Sequence, residues 1–145
     1  MKMIAFLFFL AVTLYCVWRG NVSYGKKSLT GAGKGLIGVF VAIIALGFFL
    51  KLLVAIIPGF TKGTARNLME ETSASFIVVW GMRFLITAIS TIFSGIMGFH
   101  KEHNFENYKK FSPVTNRLAP GLLLFAKCVV SFGAVLMLYG VWFTS

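Results

Sequence analysis

The chain contains no aspartate, and its acidic residues are four glutamates: Glu70, Glu71, Glu102 and Glu106. None lies in an apolar run, so no carboxylate is available at membrane depth. Carriers of protons or metal cations normally place one there, which argues against a self-contained transporter of that kind. Histidine is nearly as scarce, with His100 and His103 alone. A Ser-His-Asp triad cannot form, and acid–base chemistry lacks a positioned pair. The expectation is therefore a non-catalytic protein without a cofactor. Two cysteines, Cys16 and Cys128, both lie in apolar runs. Disulfide frameworks and cysteine zinc sites need closely spaced loop cysteines, so these two read as small packing residues.

What the chain does have is apolar surface. Its 145 residues are 58% hydrophobic, 16% aromatic and 12% charged, with mean hydropathy +0.86. A soluble domain would carry about twice that charged fraction. Four apolar runs stand out, at 3–18, 35–60, 75–99 and 118–143. The last three are long enough to cross roughly 30 Å of hydrocarbon as tilted helices. The first is shorter, reaching about 24 Å at 1.5 Å per residue. These lengths predict an all-α integral membrane protein, four transmembrane helices in one small bundle filling a single domain over 1–145. Tyr15, Trp18, Tyr139 and Trp142 sit near run ends and suit interfacial anchoring.

Net charge is +10, from 14 Lys+Arg against the four glutamates. In a soluble protein that balance points to nucleic acid; between membrane spans it points to the anionic cytoplasmic leaflet instead, and no nucleic-acid partner is expected. Arg19, Lys26, Lys27 and Lys34 lie between runs one and two, and Lys101, Lys109, Lys110 and Arg117 between runs three and four. The other side carries Lys2, Lys62 and Arg66. The positive-inside rule then places loops one and three in the cytoplasm and both termini outside, periplasmic in a bacterial inner membrane. Lys2 before an apolar stretch also fits a secretory signal, with Ser23-Tyr24-Gly25 as a weak cleavage site. Cleavage would export the positive loops, so a retained first span is the better reading.

Several short motifs invite stronger readings. "SLTGAGKGL", residues 28–36, resembles a phosphate loop in composition only: Ser28 replaces its first glycine and Gly35 its terminal hydroxyl. A flexible basic turn feeding span two is expected, with Lys26, Lys27 and Lys34 near lipid phosphates. In "HKEHNFE", His100, His103 and Glu106 recur every three residues and form a weak candidate metal set. Phe105, Tyr108 and Phe111, flanked by Lys101, Lys109 and Lys110, better describe an amphipathic interfacial segment, ended by Ser112-Pro113. Asn21-Val22-Ser23 has glycosylation spacing but falls in the loop assigned to the cytoplasm. Small residues recur every four positions at Gly38 and Ala42, and at Ser90, Ser94 and Gly98, which suits helix packing in lipid.

The sharpest candidates are cations inside the runs: Lys51, Arg83 and Lys127. Intramembrane ionisable groups are functional-site hypotheses by default. Lys127 and Arg83 lean toward the nearer membrane surface and can snorkel. Lys51 leans inward, because its nearer surface lies at its helix C-terminus. Counting inward from the outer loop puts Lys51 and Arg83 at one depth, with Glu70 and Glu71 the sole acids on that side. The expected counter-charge is one of these glutamates, anionic phospholipid, an acidic residue of another membrane subunit, or a conducted anion. The leading expectation is a non-catalytic transmembrane subunit of a bacterial inner-membrane complex of secretion, conjugation or respiratory type. The alternative is a small homo-oligomeric anion channel or carrier with Lys51 and Arg83 lining its path.

Overall fold

The computed structural model describes residues 2–19 and 26–144; the side chains of 26, 107, 110, 111 and 114–119 lie outside that description. Four helices account for nearly all of it: α1 Lys2–Trp18, α2 Lys26–Ile56, α3 Lys62–His103 and α4 Phe105–Phe143. By length and composition, Lys27–Ile56, Lys62–His103 and Pro120–Phe143 can each cross a membrane, and Lys2–Trp18 is a shorter apolar helix. The protein is an all-helical bundle suited to multi-pass insertion. Within a bilayer, helices satisfy every backbone group internally, which makes them the available spanning element for runs of this kind.

Two helix boundaries depart from the sequence-based expectation. The glycine-rich 28–36 stretch is not a flexible turn but the first turns of α2. Nor is the aromatic–lysine stretch of the third loop a separate interfacial element. The chain reverses about Asn104, whose N–H donates to the His100 carbonyl (3.0 Å) while its own carbonyl accepts from Tyr108 (2.9 Å). Residues 100–103 close α3, and 105–113 open α4, which continues through Pro113 and Pro120. Proline's fixed φ is already helical; its cost is a missing donor, which helices in membrane bundles tolerate.

The helices run alternately up and down. α1, α3 and α4 form a three-helix core around Val17, Val78, Met82, Val130, Ala134 and Leu138. On α4 these positions recur every four residues, and on α3 Ser75, Val78, Met82, Ile86 and Ser90 recur every three or four. That spacing is one helical face. The end of the core near Lys2 is tied by aromatics and hydrogen bonds. Phe9 stands edge-on to Phe76 (5.6 Å) and stacks on Trp142 (6.0 Å), and Phe6 meets Phe143 (5.4 Å). Trp142 Nε1–H donates to Ser75 Oγ (3.0 Å), and Ser75 Oγ–H donates to the Glu71 carbonyl (2.7 Å).

α2 stands apart. Among the described residues it contacts α3 and neither α1 nor α4. Its buried stripe is Ala32, Val39 and Leu50, with glycine at the two closest approaches. A Cβ on Gly35 would lie 2.5 Å from the Trp80 ring, and one on Gly47 would lie 3.3 Å from Met69 Cε. Gly38 and Ala42 are exposed, and nothing lies within 4 Å of Gly38. α2 therefore turns a different small-residue face to its neighbour from the one the spacing singled out.

A basic groove between helices α2 and α3

A tight turn sets the register of these two helices. Pro58 and Gly59 occupy the central positions, Gly59 with φ 101°, and Phe60 N–H donates to the Ile57 carbonyl (3.2 Å). Proline followed by left-handed glycine is the composition of a type II turn. Thr61 then caps α3, its Oγ1 accepting from the Thr64 N–H (3.2 Å), a strongly preferred arrangement at helix starts. With so short a connection, positions equidistant from the turn face each other. Gly47 meets Met69, and Gly35 meets Trp80.

By the same symmetry Lys51 faces the first turns of α3. A groove of about 570 Å³ opens there, lined by Gly47, Leu50, Lys51 and Val54 of α2 and by Lys62, Ala65, Arg66 and Met69 of α3. Its floor is apolar and its polar groups are cationic. Glu70 approaches only Arg66, whose Nε–H donates to Glu70 Oε1 (2.8 Å). Glu71 is taken by Lys2 on the far side of α3 (2.9 Å). Neither glutamate serves Lys51, which forms no ion pair among the described residues. Three cations thus line the groove with no carboxylate among them, and the one ion pair they make is Arg66 with Glu70 beside it.

Lys51 and Arg83 do not lie at the one level that counting inward from the outer loop suggests. Arg83 lies nearly five turns along α3 from Arg66, roughly 25 Å at 1.5 Å per residue, with its guanidinium 4.8 Å from the Trp80 ring centroid. The helical start at Lys62 accounts for the difference. Residues 62–74 do not form a loop that lifts the chain clear of α2; they are helix, folded back along it. Lys127, half-buried on α4, lies 5.8 Å from the Trp18 ring centroid, and Trp18 Nε1–H donates to Ser131 Oγ (3.0 Å). That pair joins the end of α1 to α4, where a cation over an indole contributes about 0.5–1 kcal/mol when exposed.

Other sequence candidates are dispersed. His100, His103 and Glu106 are exposed, and His103 stacks on Phe99 at 4.4 Å with Nδ1 3.3 Å from the Phe99 carbonyl. No group of three metal-ligating side chains exists among the described residues. Ser90 is buried and donates to the Ile86 carbonyl (2.8 Å), Ser94 is half-buried, and Gly98 is exposed. Lys27, Lys34, Lys101 and Lys109 are exposed. The side chains of Lys26 and Lys110, like the whole Asn21-Val22-Ser23 sequon, lie outside the described residues. Lys62 and Arg66 are the members of the groove that the sequence did not single out. The signal for them was Thr61 as a helix cap followed by no glycine or proline from Thr64 to Trp80.

No protein-family model matches this chain, and no match is found among curated proteins or solved structures. What the groove can do follows from its own residues: hold an anion at the mouth of an apolar cleft.

Proposed function

We propose that this protein is a non-catalytic, multi-pass membrane subunit that assembles with partner membrane proteins in a larger bacterial inner-membrane complex. The observation that carries this reading is the axial offset of α2. Phe48, Phe49, Leu52, Ile56 and Ile57 are all exposed, Phe48 by 69% and Ile56 by 65%. They lie level with the polar start of α3, which carries Lys62, Arg66, Asn67 and Glu70. Apolar side chains at a level where the neighbouring helix is charged are poorly served by a bilayer of uniform thickness. Helices of a partner cover such a flank, and the small-residue patch at Gly38 and Ala42 lets a backbone approach it closely. Both termini and the α2–α3 turn face the periplasm in this reading, and the lysines of the Asn104 end face the cytoplasm.

Arg83 stands roughly 25 Å along α3 from Arg66, which lines the groove with Lys51, so a path lined by Lys51 and Arg83 of one chain has less geometric support than the subunit reading. Gentle extraction in mild detergent followed by mass spectrometry tests the proposal. Defined membrane proteins should co-purify in fixed ratio, and replacing Phe48 and Leu52 with serine should release them. A stable homo-oligomer that conducts chloride in vesicles would overturn it.

A further inference from the structure

We infer that the groove between α2 and α3 is a binding site for an anionic phospholipid, with the phosphate on Lys51, Lys62 and Arg66 and an acyl chain along Gly47, Leu50 and Met69. Charge complementarity carries the choice of occupant. No acid lines the groove; the one carboxylate beside it, Glu70, is engaged by Arg66. The cations are therefore matched by negative charge from elsewhere, delivered on a molecule that also has an apolar portion for the floor.

The order of residues along the groove fits a phospholipid in orientation as well as in charge. Gly47 packs beside Met69. Moving toward the Pro58-Gly59 turn, Leu50 and then Lys51 follow on α2, and Arg66 and then Lys62 follow on α3. The apolar end thus points into the bundle and the cationic end toward the turn. Val54 of α2 and Ala65 of α3 are the apolar lining residues at the cationic end. The Lys2–Glu71 ion pair and the aromatic group of Phe6, Trp142 and Phe143 mark where the three-helix core meets water and headgroups. Arg66 and Lys62 lie about 1.4 and 2.5 turns beyond Glu71, about 8–14 Å, at and outside the edge of a headgroup layer about 5–7 Å deep, from which their long side chains reach back to phosphate. Arginine adds planar, multi-donor recognition of a phosphate, and lysine acts as a point charge.

This site is separate from the exposed α2 flank assigned to partner helices, so the two can fail independently. The test is lipid retention by the purified full-length chain, exchanged from mixed phosphatidylglycerol and phosphatidylcholine into detergent and read by native mass spectrometry. One phosphatidylglycerol should be retained per chain, at least about tenfold over phosphatidylcholine. Lys51→Gln, Lys62→Gln and Arg66→Gln should each lower retention about fivefold, in keeping with the contribution of one basic residue near an anionic surface. Lys51→Arg should keep it, which separates loss of charge from loss of fold, and Lys101→Gln at the opposite end should leave it unchanged. Equal retention of the two lipids would overturn the proposal. So would an equal loss from Lys101→Gln, displacement of the lipid by millimolar glycerol phosphate, or groove variants that release a co-purified protein while keeping the lipid.

Discussion

The three-helix core of α1, α3 and α4 and the α2–α3 hairpin are built on opposite plans. In the core, Val17, Ala134 and Leu138 are fully buried, Ser75 is both donor and acceptor, and Lys2 meets Glu71. Its buried Thr13, Ser75, Thr87 and Ser90 each donate to a carbonyl of their own helix. The hairpin rests on one helix face, has glycine at its closest contacts, and gathers Lys51, Lys62 and Arg66 in one groove, where only Arg66 has an acidic partner. The core is self-sufficient and the hairpin is not. What the hairpin lacks, negative charge and apolar cover, describes what it binds.

Substitutions in the two regions should differ in cost. The largest effect belongs to the core. Leu138→Ala should cost about 2–5 kcal/mol, the usual range for a fully buried leucine, whereas Ile44→Ala on the exposed face of α2 should stay within about 0.5 kcal/mol. Thermal unfolding in a fixed detergent compares them, and similar shifts would erase the distinction between the two regions. Next comes the hairpin contact. Gly35→Val forces Trp80 to move and should cost about 1–3 kcal/mol, as overpacking does. Trp80→Leu added to Gly35→Val should recover part of the loss; no recovery would mean that Gly35 does not set the approach of the helices. The smallest effect belongs to the ion pair. Lys2 is half exposed in its bridge to Glu71, so Lys2→Gln should cost under about 1 kcal/mol, less still at high salt. A larger, salt-insensitive loss would give that pair a structural role beyond its exposure.

Much of the architecture was legible in the sequence. Each of the apolar runs at 35–60, 75–99 and 118–143 belongs to a helix long and apolar enough to span, and the run at 3–18 is the shorter α1. What was not legible was how far helices continue through polar sequence. Residues 62–74 and 100–113 carry the charges and short polar groups of loops, yet contacts along α2 and the reversal at Asn104 keep them helical. Propensity is a weak prior that packing overrides. The misplaced start of α3 shifted the residue level with Lys51 by nearly five turns, from Arg83 to the neighbourhood of Arg66. Had Pro58-Gly59 been taken as the whole connection, Thr61 would have stood out as a cap, and Lys51, Lys62 and Arg66 would have fallen together. The faces of single small residues were equally hidden, because Gly35 and Gly38 look alike until a neighbour's tryptophan is placed.

The register of α2 against α3 decides which residues Lys51 meets, and paired spin labels measure it directly. With Cys16 and Cys128 replaced by alanine, labels at Lys51→Cys and Arg66→Cys should lie across one helix contact, within the 8–10 Å axis spacing of packed helices plus the label arms. Labels at Lys51→Cys and Arg83→Cys should be separated by a further axial distance of roughly 25 Å. A shorter distance for the Lys51–Arg83 pair than for the Lys51–Arg66 pair would contradict the hairpin register and remove the basic groove with it.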